Sequence, residues 1–208
     1  MINISKMSGK LQGIFAINTN TLTNDFCKAR HALKNTICRK CYSFRMLQGH
    51  RKNCIPNFEQ NSVILSSAII DFDLLPVINA AFFRFSAHGE LINLIHFENL
   101  CNIAEKNPYC TFALWTKRVS IVRQYQRRND VEIPNNLILI FSNPAIDKPL
   151  YDVPRGFHKV FNNVSKGSDY QQNCTGKKCI ECLTCYHKMQ EKNPHQNTGG
   201  TIIIEAVK

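Results

Sequence analysis

Short apolar runs separated by polar, turn-forming stretches recur along this chain, and their lengths alternate between those of strands and helices. Leu11 to Asn18 (LQGIFAIN) is apolar and β-prone and leads into a Thr/Asn-rich loop, so it predicts a first strand. Tyr42 to Arg51 predicts a helix, and Pro56-Asn57 opens another through Ile64 to Ile69. Asp71 to Asn79 is a short amphipathic segment interrupted by Pro76. Ala80 to Phe85 (AAFFRF) predicts a buried strand, and Leu94 to Lys106 places Leu94, Ile95, Phe97, Leu100, Cys101 and Ala104 near one helical face. Cys110 to Thr116 predicts a strand, a basic helix follows it, and Asn136 to Ser142 (NLILIFS) is the near-continuous apolar run of a strand covered on both faces. Phe157 to Val164 and Thr201 to Val207 predict two later strands.

Strand, helix, strand, helix, strand implies repeated crossovers and therefore α/β architecture, as a partial (β/α) barrel or an open parallel sheet. The chain has 208 residues, 44% of them hydrophobic, which suits one substantial core with a small appendage. The expected division is an α/β core over 1–170 carrying an N-terminal cysteine loop, and a cysteine-rich metal-binding segment with a final strand over 171–208. No apolar run approaches the roughly 18 to 20 residues of a membrane span, so no membrane partner is expected.

Ligands of parallel α/β sheets bind beyond the carboxyl ends of the strands, which singles out the residues just after each one. After the first come Cys27, Cys38 and Cys41; after the second, Ser86-Ala-His88-Gly89-Glu90; after the third, Thr116-Lys117-Arg118; after the fourth, Ser142-Asn143-Pro144. All should gather on one rim. His88, Glu90 and Lys117 are the candidate catalytic residues: His88 and Glu90 could manage protons there, unless His88-Gly89 merely turns the chain, and Lys117 is either an anchor for phosphate or carboxylate or a solvated charge. Ser86, Gly89, Glu90, Ser142 and Asn143 are candidate cofactor-binding positions.

The ten cysteines sharpen this picture. No signal-peptide core is read at the start of the chain, so reduced thiols in a cytoplasm are expected, where close cysteine pairs serve metal ligation or redox chemistry. Cys174, Cys179, Cys182 and Cys185 are spaced tightly enough to converge on one metal, and the repeated two-residue gaps resemble ferredoxin wrapping of a [4Fe-4S] cluster, with a structural zinc as the alternative. Cys27, Cys38 and Cys41 form a second set at the mouth of the sheet. Three ligands would leave one iron of a cluster open to a small ligand, whereas Cys54 as a fourth would close it. Cys101 and Cys110 fall on apolar faces and read as core; His31 and His50 read as solvated.

The net charge is +11, and from Phe26 to Phe58 there is no acidic residue while Lys28, Arg30, Lys34, Arg39, Lys40, Arg45, Arg51 and Lys52 are basic. Such a run either compensates anionic thiolates or contacts nucleic-acid phosphates, so a nucleotide or nucleic acid is a candidate partner. No Gly-rich phosphate loop, Ser-His-Asp arrangement or His-Glu-x-x-His helix is present.

With these residues in view the chain resembles the phage "gene product 88" family of small cysteine-rich proteins, through Ser8-Gly9-Lys10-Leu11, Cys38-x-x-Cys41-Tyr42, Arg84-Phe-Ser86-x-x-Gly89-Glu90, Thr116-Lys117 and the Cys174 to Cys185 group. The resemblance implies phage or prophage origin, the host cytoplasm as location, and an iron-sulfur protein. A more distant similarity is to radical SAM enzymes, which have a partial (β/α) barrel, a three-cysteine loop after strand one and a Gly-Gly-Glu-like segment after strand two, to which Gly89-Glu90 would correspond. Their Cys-x3-Cys-x2-Cys is here Cys27-x10-Cys38-x2-Cys41, retaining the last spacing. That similarity implies S-adenosylmethionine at the first cluster and an auxiliary role for the second. The rival expectation is a non-enzymatic nucleic-acid-binding module held by zinc or structural clusters.

Overall fold

A computed structural model describes residues 1–128, 130–188 and 201–207. One seven-stranded sheet organises them: β1 (Ile4–Lys6), β2 (Phe15–Ile17), β3 (Phe82–Phe85), β4 (Thr111–Thr116), β5 (Leu137–Ile146), β6 (Lys159–Val164) and β7 (Ile202–Ala206) lie side by side in chain order. β1 pairs with β2 antiparallel, and every later pairing is parallel. The sheet is open rather than closed into a barrel. Sequential parallel order requires each connection to cross back over one face, and the helices supply the cover: α1 (Asp25–Ala32), α2 (Tyr42–Gln48) and α3 (Ile55–Ser67) between β2 and β3, α4 (Leu94–Lys106) between β3 and β4, and α5 (Val119–Gln126) between β4 and β5.

The pleat sorts side chains between two cores. Phe83 and Phe85 of β3, Phe112 and Leu114 of β4 and Leu137 and Leu139 of β5 face the helices, where they meet Leu65 of α3, Phe97, Leu100 and Ile103 of α4, and Ile121 and Val122 of α5. The alternate residues face the other way: Ala113, Trp115, Ile138 and Ile140 pack with Ile14 and Tyr186. That inner face is covered by the cysteine-rich tail rather than by a long helix, through Ile180, Leu183 and the short α6 (Cys179–Cys182).

The sequence-predicted elements are present with shifted ends. α4 spans the expected residues. The first strand shortens to Phe15–Ile17 because Gly9–Leu11 forms a 3-10 turn, and Asp71 to Asn79 yields only a 3-10 turn at Phe72–Leu74. Cys27 lies in a helix rather than a loop, with the Asn24 side chain capping α1 by accepting from Cys27 N–H at 3.1 Å. No described helix is long and apolar enough to cross a membrane.

Candidate functional site

A cavity of about 540 Å3 opens at the carboxyl ends of the parallel strands, over the inner face of the sheet. Cys27, Cys38 and Cys41 reach it from one side and Cys174, Cys179 and Cys185 from the other, with Arg84, Trp115 and Lys117 between them. Residues separated by some 150 positions in sequence are therefore brought to one space by strand order.

The wall nearest β2 is built by α1 and α2. Asn24, capping α1, also donates from Nδ2 to the Glu90 carbonyl at 3.0 Å, which ties the Cys27 helix to the loop after β3. A 3-10 turn at Ile37–Lys40 carries Cys38, and Cys41 caps α2 directly after it. His31 braces this turn: its ring stacks on Phe44 at 4.1 Å and its Nδ1 lies 2.8 Å from the Cys38 carbonyl oxygen. Tyr42 donates its hydroxyl proton to the Ala87 carbonyl. Burial pushes the Cys27 thiol upward, reinforced by Glu90 and Cys41 and opposed by Lys117; Cys38 moves the same way, chiefly by burial.

The loop after β3 is shaped by left-handed backbone at Ser86 (φ 57°) and Gly89 (φ 84°). Glu90 is buried and its carboxylate is spent on holding strand ends together. Oε1 accepts from Thr116 Oγ1 at 2.6 Å and Leu91 N–H at 2.9 Å, and Oε2 accepts from Lys117 N–H at 2.8 Å. His88 bonds instead to Ser43 Oγ at 2.8 Å through Nδ1, and Ser43 meets Thr21 Oγ1, which accepts from Gly89 N–H at 2.9 Å. The structure thus gives the two residues separate partners, and His88 is neutral at physiological pH, its pKa lowered to about 4 by burial and then by Arg51 and Arg84. Lys117 donates to Ser142 Oγ at 2.9 Å, and both line the cavity. Asn143 does not: it donates to the Lys148 carbonyl at 2.8 Å and to Asn162 Oδ1 at 2.9 Å, pinning the loop after β5.

The tail forms the opposite wall. Lys10 Nζ stands 2.7 Å from Cys174 Sγ and 2.6 Å from Glu205 Oε1, a bond that eases ionisation of a thiol otherwise raised by burial. Burial pushes the Cys185 thiol up to about 12, with Arg84 acting against it. Cys182 is exposed, near Thr184 Oγ1 at 3.2 Å, and is not in the cavity wall. Cys54 sits at the start of α3 and is also absent from the wall, so three cysteines represent the first set there. Cys101 and Cys110 are buried in the core. Among the described residues, no three of His, Cys, Asp and Glu converge closely enough to hold a single metal ion.

Fold and site together define an open α/β sheet whose strand ends carry a cationic cavity lined by two sets of thiols. No family model matches the chain, and neither the curated proteins nor the solved structures contain a match to it. Sequence reasoning missed Lys10, Arg84 and Asn24 at this site. Lys10 and Arg84 stood inside quoted motifs but their partners lie far off in sequence, whereas Asn24 carried the ordinary signal of a helix cap.

Proposed function

We propose that this is an iron-sulfur protein of phage origin, acting in the host cytoplasm, whose strand-end cavity is the active site of a radical-SAM-like enzyme for a nucleotide-related substrate. The observation that carries the reading is the meeting of Cys27, Cys38 and Cys41 with Cys174, Cys179 and Cys185 around one cavity at the carboxyl ends of parallel strands. Soft thiolates suit iron-sulfur clusters, the wall's Glu90, Glu205 and His88 are already bonded to protein groups, and the surrounding cations fit the negative charge that such centres bring. Cys27, Cys38 and Cys41 would hold one [4Fe-4S] cluster with an open position; Cys174, Cys179, Cys182 and Cys185 would hold a closed one. Bound there, the first cluster would supply an electron for reductive cleavage of S-adenosylmethionine. The chain's own residues do the positioning: Glu90 locks the loop after β3 to the end of β4, Asn24 fixes the Cys27 helix to that loop, and Lys117 with Ser142 closes the rim.

Anaerobic reconstitution should give a brown protein with about eight irons and absorption at roughly 400 nm, as for two cubane clusters. Triple replacement of Cys27, Cys38 and Cys41 by Ala should halve the iron, and dithionite with S-adenosylmethionine should yield 5'-deoxyadenosine from the parent alone. Colourless protein holding stoichiometric zinc would sink the proposal.

A second reading is favoured by the exposed Lys28, Lys34, Arg39, Lys40, Arg45 and Lys52, of which Lys40 and Arg45 reach the cavity wall: a nucleic-acid-binding module stapled by zinc or structural clusters. Steeply salt-dependent RNA or DNA binding by an iron-loaded chain that forms no 5'-deoxyadenosine would select it.

A further inference from the structure

Cations in the cavity wall differ in what they already hold. Lys10 is paired with Glu205 and Cys174, Arg51 donates to Ser8 Oγ at 2.6 Å, and Lys117 donates to Ser142. The wall's carboxylates among the described residues, Glu90 and Glu205, are both bonded to protein groups. Arg30, Lys40 and Arg45 also reach the wall, Lys40 and Arg45 from exposed positions, but among the described residues only in Arg84 is an unpartnered cationic nitrogen buried. The Arg84 guanidinium carbon lies 3.6 Å from the centroid of the Trp115 ring, its Nε is buried without a hydrogen-bond partner, and it makes no ion pair among the described residues.

A half-buried guanidinium with only an aromatic face beneath it is a costly arrangement unless something completes it. The ring fixes the plane of the fork, and a fixed fork matches the two oxygens of a carboxylate or phosphate. Strand geometry supplies a second cation. Arg84 pairs with Ala113 across the sheet, Trp115 is the next inward residue of β4, and Lys117 follows just past the strand's end at Thr116 and lines the same cavity.

We propose that Arg84, laid over Trp115 on the cavity floor, with Lys117 above it, forms an oxyanion subsite for the carboxylate or phosphate head group of the substrate. This rests on the reading of the cavity as an active site and adds the chemical class that the site selects. The competing role for Arg84 is to compensate the thiolates of Cys179 and Cys185, which lie within its field.

Calorimetric titration of the full chain with pyrophosphate and with succinate, before and after iron loading, tests the subsite. Trp115, the single tryptophan, adds a local fluorescence readout in the iron-free protein. Saturable binding in both states is expected, weakened about tenfold or more in Arg84→Gln, as loss of a charged hydrogen-bonded partner implies. Arg84→Lys, which keeps the charge and gives up the fork, should weaken it too, and circular dichroism checks that both variants fold. The probe that binds sorts phosphate from carboxylate. Absence of binding by either probe, equal affinity in the variants, or binding abolished by iron loading overturns the proposal; the last outcome assigns Arg84 to the cluster's charge. Failure to load iron while anion binding persists would count against the iron-sulfur reading alone.

Discussion

A Cβ at position 89 would stand 2.0 Å from Thr19 Oγ1 and 2.7 Å from the Thr19 carbonyl oxygen, on backbone with φ +84°. Both obstacles act together. The first is a collision with backbone that the sheet holds in place, since Thr19 N–H itself donates to the His88 carbonyl at 3.2 Å, and the second is the left-handed conformation. Gly89→Ala should therefore cost about 2 to 4 kcal/mol in urea unfolding, combining backbone strain with overpacking. On the proposed iron-sulfur reading it should also lower iron uptake by the Cys27 set, because the displaced loop includes the Glu90 carbonyl to which Asn24 donates. A cost under about 1 kcal/mol would show that the loop has room to relax. By contrast, Gly9 also has positive φ but meets nothing within 4 Å, so conformation alone constrains it.

α4 illustrates what was legible at the level of elements and what was not. Its apolar stripe marks the same ends in sequence and structure, and the structure adds an Asn93 cap that accepts from His96 N–H at 2.9 Å. α1 escaped because none of its residues is buried, leaving no stripe to read, and β1 because three residues beside an edge carry no periodicity. β1 is held instead by Asn61, which accepts from Asn3 N–H at 2.7 Å and donates to the Asn3 and Asn18 carbonyls. β5 continues through Pro144 because its register with β6 shifts between Ser142 and Ile146, where a missing donor breaks no ladder bond of a regular pair. The first cysteine set and the strand-end residues were readable from position alone, whereas the bonds that tie His88 to Ser43 and Glu90 to Thr116 span 45 and 26 residues.

Within α4, His96 is buried and accepts at Nδ1 from Ile92 N–H at 3.2 Å, so its first turn requires a neutral ring; burial lowers its pKa to about 3. An unfolded histidine protonates near 6.5, so between those values the unfolded chain binds the extra proton. Stability should therefore be unaffected by this group above about pH 6.5 and fall by about 1.4 kcal/mol per pH unit below it. Urea titrations at pH 7.5, 6.5 and 5.5 should show a shallower decline in His96→Gln than in the parent. Equal slopes would mean that the ring already protonates in the folded chain.

On the scale of the molecule, the tail both carries the second set of thiols and completes a core. Tyr186 is buried between Phe82, at 5.6 Å between ring centroids, and Trp115, at 6.2 Å, while Cys185 precedes it and Cys179 packs in the same cluster. Among the described residues the inner face of the sheet has no helix layer comparable to α3, α4 and α5, and this ring stands in for one. Tyr186→Ala should cost about 3 to 5 kcal/mol, the range for deleting a large aromatic from a packed core. On the proposed iron-sulfur reading it should also reduce iron from about eight toward about four, since only the tail set loses its platform. The hydroxyl gives the opposite sign. It is buried without a hydrogen-bond partner among the described residues, so Tyr186→Phe removes an unsatisfied donor while keeping the ring and should raise stability by about 1 kcal/mol. Tyr109→Ala, at a fully exposed position, is the control and should change stability by less than about 0.5 kcal/mol. If Tyr186→Phe instead destabilises the chain as much as Tyr186→Ala, the hydroxyl rather than the ring anchors the tail, and the coupling between core packing and the second thiol set is lost.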